Sequence, residues 1–264
     1  MAFADKVAII TGSSTGIGRA IAVKFARQGA SVSLHGRNEE ALKTTVELCR
    51  KAGLSNDKVL TTTSDVTKEG GVKKLFDATM AKFGRLDLLI CNHGGVSGMG
   101  GHPTASIEAV KENMKLNFGS VVALCQLAIP YLEKTKGVIV MNSSVTSREL
   151  VNPPTMFYTT AKAALDQFMR CLAVELGPKG IRVNCVNPGF IDSGVVEKYG
   201  ISEDIKAAIA KVYTDTQALK FTGASEHIAD TVAFLCGEES KFITGQRIVV
   251  DGGFSLGHKR PALG

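Results

Sequence analysis

Tryptophan is absent from this 264-residue sequence, aromatic residues make up only 6% of it, and no aromatic residues interleave a basic stripe. The net charge of +6 comes from 31 Lys and Arg against 25 Asp and Glu, scattered so widely that Lys73-Lys74 and Lys259-Arg260 are the nearest thing to clusters. A nucleic-acid surface is therefore not expected, and the excess charge is assigned to solvated surface plus an anionic small ligand. The six cysteines form no C-x-x-C pair and lie mostly in apolar segments, which fits reduced core thiols better than a disulfide framework or a zinc site. The five histidines lack H-E-x-x-H or H-x-x-x-H spacing, so no metal is expected. No linker and no internal repeat divides the chain, which predicts one domain over 1–264. No apolar run reaches the ~20 residues of a membrane span. The longest, Val121–Leu132, carries Gln126 and Pro130 and predicts a buried helix. Met1 leads straight to a strand-like run at Lys6–Thr11, which leaves no room for a signal peptide and predicts a cytoplasmic protein.

What is present is 44% hydrophobic residues, 28 glycines, and a regular alternation of two patterns. Short β-branched runs predict strands at Val7–Ile10, Ser31–Leu34, Val59–Thr63, Leu86–Cys91, Val138–Met141, Arg182–Val186 and Arg247–Val250. Between them apolar residues return at helical spacing, as in Ile17, Ile21 and Phe25 or Leu165, Phe168, Met169, Leu172 and Leu176. Strand and helix repeated in this way predict an α/β fold: a doubly wound, seven-stranded parallel sheet with helices on both faces. Two excursions interrupt it. Gly94–Pro103 is rich in glycine, and Phe190–Phe221 holds a short helix expected around Glu203–Tyr213. Both follow strand ends, where ligands bind in such sheets, and both read as lids.

Three groups of residues carry chemistry. After the first strand, Thr11-Gly12-Ser13-Ser14-Thr15-Gly16-Ile17-Gly18 opens a helix. Glycines there allow a tight turn and let backbone N–H groups approach a pyrophosphate at the positive end of the helix. Tyr158 and Lys162 stand four apart, on one helical face. An ammonium beside a phenol stabilises the phenolate and makes the pair a usable acid/base. Upstream, Asn142-Ser143-Ser144 ends a strand, where a hydroxyl could hold a carbonyl oxygen. The second strand ends in Leu34-His35-Gly36-Arg37-Asn38, with no acid to receive an adenosine ribose 2′-hydroxyl. Arg37 offers instead a planar guanidinium for a 2′-phosphate, and Ser14 a further contact, so NADP(H) is expected over NAD(H). Thr15 is neutral, which leaves that preference resting on Arg37; Asn38 could equally cap the next helix.

Together with Asp65-Val66, Asn92, Gly94, Asn117 and Pro188-Gly189, these residues resemble, in order and spacing, a single-domain short-chain dehydrogenase/reductase from Lys6 to Gly253. The resemblance implies a Rossmann-type fold and hydride transfer between a nicotinamide dinucleotide and a carbonyl or secondary alcohol. It implies that Tyr158 is the general acid or base, Lys162 lowers its pKa and binds the nicotinamide ribose, and Ser144 orients the substrate oxygen. Asn117 would hold a proton-relay water. Asp65 and Val66 would border the adenine, Asn92, His93 and Gly94 the ribose, and Pro188, Gly189, Ile191 and Ser193 the nicotinamide. Gly12, Ser14, Thr15, Gly16, Ile17 and Gly18 would cradle the phosphates, with Arg37 and Asn38 beside the adenosine ribose. His93 stands where the family carries a small alanine; a packing role is expected for it, with catalysis the rival. Ser144 lies one residue further from Tyr158 than is usual, which keeps Ser143 as a minor rival.

The activity expected is an NADP(H)-dependent ketone reductase. An NAD-dependent alcohol or hydroxysteroid dehydrogenase is the alternative, and a non-catalytic NADP-binding scaffold a further one. Pocket candidates are Val96, Val151, Pro154, Met156, Phe157, Phe190, Val195, Val196 and Tyr199, mostly apolar, which favours a lipophilic ketone or 3-oxoacyl chain. The helix around Met114–Leu132 is apolar nearly all round, which predicts a homodimer or homotetramer.

Overall fold

The seven β-branched runs become the strands of one parallel sheet. The computed structural model describes residues 1–97, 106–150, 152–194 and 202–256. The strands are β1 (Val7–Ile10), β2 (Ser31–Gly36), β3 (Val59–Thr63), β4 (Leu88–Cys91), β5 (Val138–Asn142), β6 (Arg182–Pro188) and β9 (Arg247–Val250), in the order β3-β2-β1-β4-β5-β6-β9. A second, two-stranded ladder joins β7 (Ile191–Asp192) to β8 (Gly223–Ala224). The strand order reverses between β1 and β4: β2 and β3 lie to one side of β1, and β4 and the later strands lie to the other. The loops after β1 and β4 therefore open on the same crevice at the carboxyl edge.

Both faces of the sheet are covered, which is why the central strands β1, β4 and β5 read as apolar runs rather than alternating ones. Alternate residues still part company. Ala8, Ile10, Leu88, Ile90, Val138 and Val140 join a core beneath α1 (Gly16–Arg27), α2 (Glu39–Lys51) and α8 (Ser225–Cys236). Ile9, Leu89, Cys91, Ile139 and Met141 join the opposite core beneath α3 (Gly71–Phe83), α5 (Ser120–Thr135) and α6 (Met156–Leu176). Local signals fix the helix ends. Asn38 caps α2, its Oδ1 accepting from the Ala41 N–H at 3.0 Å. Gly70 and Gly84, at φ 71° and 67°, bracket α3.

The chain departs from expectation in the middle. α4 (Ile107–Met114) runs through a π-helical turn, Lys115–Gly119, into α5, making one 29-residue helix. By length and composition alone this helix could cross a membrane, with a mean hydropathy of 1.2 over its most apolar window. Here Val121, Leu124, Cys125, Ala128 and Leu132 are buried on one side, while Lys115, Gln126 and Glu133 are exposed, so it is not apolar all round. The predicted lid helix exists as α7 (Glu203–Thr216). A stack of Phe190, Tyr213 and Phe254, with ring centroids 4.8 and 4.4 Å apart, and a Lys206–Asp192 ion pair at 3.2 Å hold it against β7.

Candidate active site

A cleft of about 870 Å³ lies along the carboxyl ends of β1, β2, β4, β5 and β6. At one end is the glycine loop. Gly12 and Gly16 take φ of +65° and +53°, and a Cβ on Gly16 would collide with the Ser193 carbonyl, so glycine is what lets the loop lie this close to the segment after β6. Ser13 is buried and locks the loop to β2, its Oγ accepting from the His35 N–H at 2.9 Å. Arg19 holds it from below, donating to the Ser14 carbonyl at 2.5 Å, the Ala41 carbonyl at 3.2 Å and Thr45 Oγ1 at 3.1 Å. Thr15 at the start of α1 makes no side-chain cap, and the first turn carries no acid. Uncapped N–H groups at a positive helix end, with no competing carboxylate, suit a pyrophosphate.

The adenosine end is lined by Gly36, Arg37, Asp65 and Val66. Arg37 is exposed and faces Asp65. Burial acts to raise the Asp65 carboxyl, but hydrogen bonds from Thr67 and the Arg37 charge bring it below its ordinary value. Gly36 is buried behind Ser14, and a Cβ there would come within 3.0 Å of the Ser14 side chain. Asn38, the expected neighbour of the adenosine ribose, is placed at the start of α2. Its side chain is spent on capping α2, and it does not line the cleft, because its amide oxygen is the nearest acceptor for the helix's orphan N–H.

Asn92 and His93, predicted to run along the ribose, brace the loop. Asn92 Nδ2 donates to the carbonyls of Thr11 and Gly12 at 3.0 and 3.1 Å, and its Oδ1 accepts from Asn142 at 2.9 Å. The His93 ring is buried between Thr11 Oγ1, at 2.7 Å, and Ser120 Oγ, at 2.8 Å. Since Ser120 gives its own proton to the Leu116 carbonyl, His93 Nε2 is the donor to Ser120 and Nδ1 the acceptor from Thr11. Burial pushes this imidazole down to about 3, so it is neutral. The geometry is that of a latch joining β1, β4 and α5.

At the far end Asn142, Ser144, Tyr158, Lys162, Pro188, Gly189, Ile191 and Ser193 line the same cleft. Tyr158 and Lys162 enter from the first turns of α6, with Lys162 Nζ 5.7 Å from the centre of the Tyr158 ring. Lys162 is buried, donates to the Asn142 carbonyl at 2.7 Å, and is pushed down to about 8 by desolvation. Gly94 makes room for this convergence: a Cβ there would stand 2.8 Å from Asn117 Oδ1 and 3.0 Å from Lys162 Nζ. Asn117 sits in the π-helical turn, bonded through its side chain to both the N–H and the carbonyl of Gly95 and to the Asn113 carbonyl. Widened turns of this kind recur at functional sites. Ser143 donates to the Lys162 carbonyl at 3.3 Å, which commits its hydroxyl to α6 and leaves Ser144 facing the cleft.

Residues 12–255 match the family model described as enoyl-(acyl carrier protein) reductase. A glucose 1-dehydrogenase of Gluconobacter oxydans is 36% identical, over 96% of this chain and 93% of that one. A Caenorhabditis elegans structure of a short-chain dehydrogenase/reductase of unknown function with cofactor superposes with a TM-score of 0.92 at 35% identity, covering 97% of each chain.

The chain belongs to the short-chain dehydrogenase/reductase family. A 7α-hydroxysteroid dehydrogenase complexed with NADH and 7-oxo glycochenodeoxycholic acid is a further neighbour, with a TM-score of 0.86 and 31% identity over 95% of this chain and 94% of that one. This short-chain dehydrogenase/reductase is thus an oxidoreductase acting on alcohol or ketone groups with a nicotinamide cofactor. Of the expected substrate-pocket residues, Val96 and Phe190 line the cleft, whereas Pro154, Met156 and Phe157 do not. Val151, Val195, Val196 and Tyr199 lie outside the described residues. Sequence reasoning missed Thr146, Leu150 and Tyr213, which line it too. Only the hydroxyl of Thr146, two residues past Ser144, left a trace to follow.

Proposed function

We propose that the protein is an NADP(H)-dependent carbonyl reductase in a single catalytic domain, with Tyr158 as its proton donor. One observation carries this reading: Ser144, Tyr158 and Lys162 converge at one end of a cleft whose other end holds the open helix terminus of α1 and the Arg37 guanidinium. When bound, the nicotinamide supplies or accepts the hydride; the residues do the rest. Ser144 donates a hydrogen bond to the carbonyl oxygen. Tyr158 gives that oxygen its proton in reduction and recovers it in oxidation. Lys162, still cationic at neutral pH, favours the phenolate left behind. The Asn117 amide is spent on Gly95 and Asn113, so a relay water would rest on its main-chain carbonyl and the second lone pair of Oδ1. Gly12 to Gly18 and Ser14 hold the phosphates, Asp65 and Val66 border the adenine, and Arg37 grips the 2′-phosphate.

Val96, Leu150, Phe190 and Tyr213 give the described wall an apolar character, which favours a lipophilic ketone. A second reading, an NAD-dependent hydroxysteroid dehydrogenase, draws on the neighbour complexed with NADH. We assign the protein to the cytoplasm and to a homodimer or homotetramer, with no nucleic-acid partner and no membrane span.

The cofactor assignment is tested by comparing kcat/KM for NADPH and NADH at one salt concentration, over a panel of aryl, steroidal and 3-oxoacyl ketones. NADPH is expected to win in the wild type. Gly36→Asp with Arg37→Ala should reverse the preference, the Ser14 side chain turning aside to admit the new carboxylate. Equal or better wild-type efficiency with NADH would overturn it.

A further inference from the structure

Ser144 opens a tight turn whose own backbone holds its side chain. The Thr146 N–H donates to Ser144 Oγ at 3.2 Å, and the Thr146 hydroxyl donates to the same oxygen at 3.0 Å. Among the described residues these are the hydrogen bonds of Ser144 Oγ, and it accepts both. A hydroxyl has two lone pairs and one proton. With both lone pairs filled, what Ser144 has left to offer the cleft is its proton.

The turn is firmly placed. The Ser144 carbonyl accepts from Ser147 Oγ at 2.7 Å and from Asn187 Nδ2 at 3.0 Å. Asn187 in turn donates to Asp166 at 3.1 Å, and Asp166 accepts from Arg247 Nε at 2.8 Å. Arg247 also pairs with Glu149, further along the same loop. Thr146 therefore stands at a fixed distance from Ser144, with its side chain on the cleft wall.

We propose that Thr146 is a positioning residue that makes Ser144 a one-way donor to the substrate oxygen. The consequence reaches Tyr158. A serine with a vacant lone pair could accept the Tyr158 proton and divert it from the substrate, whereas a saturated one cannot. This inference rests on the reading of Ser144 as the group that holds the substrate oxygen.

Thr146→Val keeps the branched shape and removes the hydroxyl; Thr146→Ser keeps the hydroxyl. Both are compared with wild type and Ser144→Ala for kcat and KM on the fastest ketone of the panel, with NADPH affinity read by fluorescence. The loss of one hydrogen bond of ordinary strength predicts a fall in kcat of about tenfold for Thr146→Val. Thr146→Ser should stay within about twofold of wild type, and NADPH affinity should be unchanged in both. In a Ser144→Ala background Thr146→Val should cost nothing more, a coupling that a merely structural role would not produce. If Thr146→Val fails to fold, Thr146→Ala is read in the same way. Wild-type kcat in the Val variant, an equal loss in the Ser variant, or a full further loss in the Ser144→Ala background would each overturn the proposal. Wild-type kcat in Ser144→Ala alone would instead overturn the reading beneath it.

Discussion

Closed in between Thr11 and Ser120, His93 stays neutral down to about pH 3. In the unfolded chain the same imidazole takes up a proton below about pH 6.5. Between those values the unfolded state binds more protons, so this group's share of stability is lost as pH falls. From pH 7 to pH 5 the loss through His93 is about 2 kcal/mol. His93→Ala should weaken the protein at pH 7, because Thr11 and Ser120 lose a partner, yet make its acid sensitivity shallower. Urea midpoints at pH 7 and 5 read this directly, and parallel slopes would contradict it. Buried His35, lowered chiefly by desolvation, supplies part of the slope that remains. Residues whose role lies in an ordered motif, such as Tyr158, Lys162 and Ser144, were legible in the sequence, and they meet in one cleft. Asn38 was not, because its amide serves a helix end as well as it would a ribose, and only the fold decides between them. Thr146 escaped notice because its importance depends on a turn that spacing does not reveal.

Strands are the most legible elements. Runs rich in β-branched residues mark them, and β1, β3 and β9 appear over the residues expected. Three strands run further towards the cleft than expected, β2 to Gly36, β5 to Asn142 and β6 to Pro188, whereas β4 begins two residues later, at Leu88. Glycine and proline mark the ends of β2 and β6 as turns in sequence, while pairing across the sheet keeps them extended. The two-residue ladder of β7 and β8 is too short to carry any periodic signal. The π-helical turn at Lys115–Gly119 was equally hidden, since a single five-residue turn is too short to show a period of its own. Its cause is tertiary: Asn117 is drawn to Gly95, across the cleft entrance.

For the molecule as a whole, exposed apolar side chains extend beyond the long helix. The sheet ends at β9, and Val249 on that open edge is exposed together with Phe234 of α8, Val174 of α6 and Phe242. Exposed apolar side chains of this kind are costly in water. With the half-buried Phe118, Val122 and Leu127 of the long helix, these residues support the proposed homodimer or homotetramer. Light scattering at micromolar protein should give two or four times the chain mass. A monomer would contradict this, and Phe242→Glu should weaken the assembly. Within the cleft, Tyr158 is the phenol proposed to move the proton. Tyr158→Phe keeps the ring and removes only the hydroxyl, so kcat for ketone reduction should fall by about 10²–10⁴-fold with NADPH affinity unchanged. Near-normal turnover by the folded Tyr158→Phe protein would contradict it.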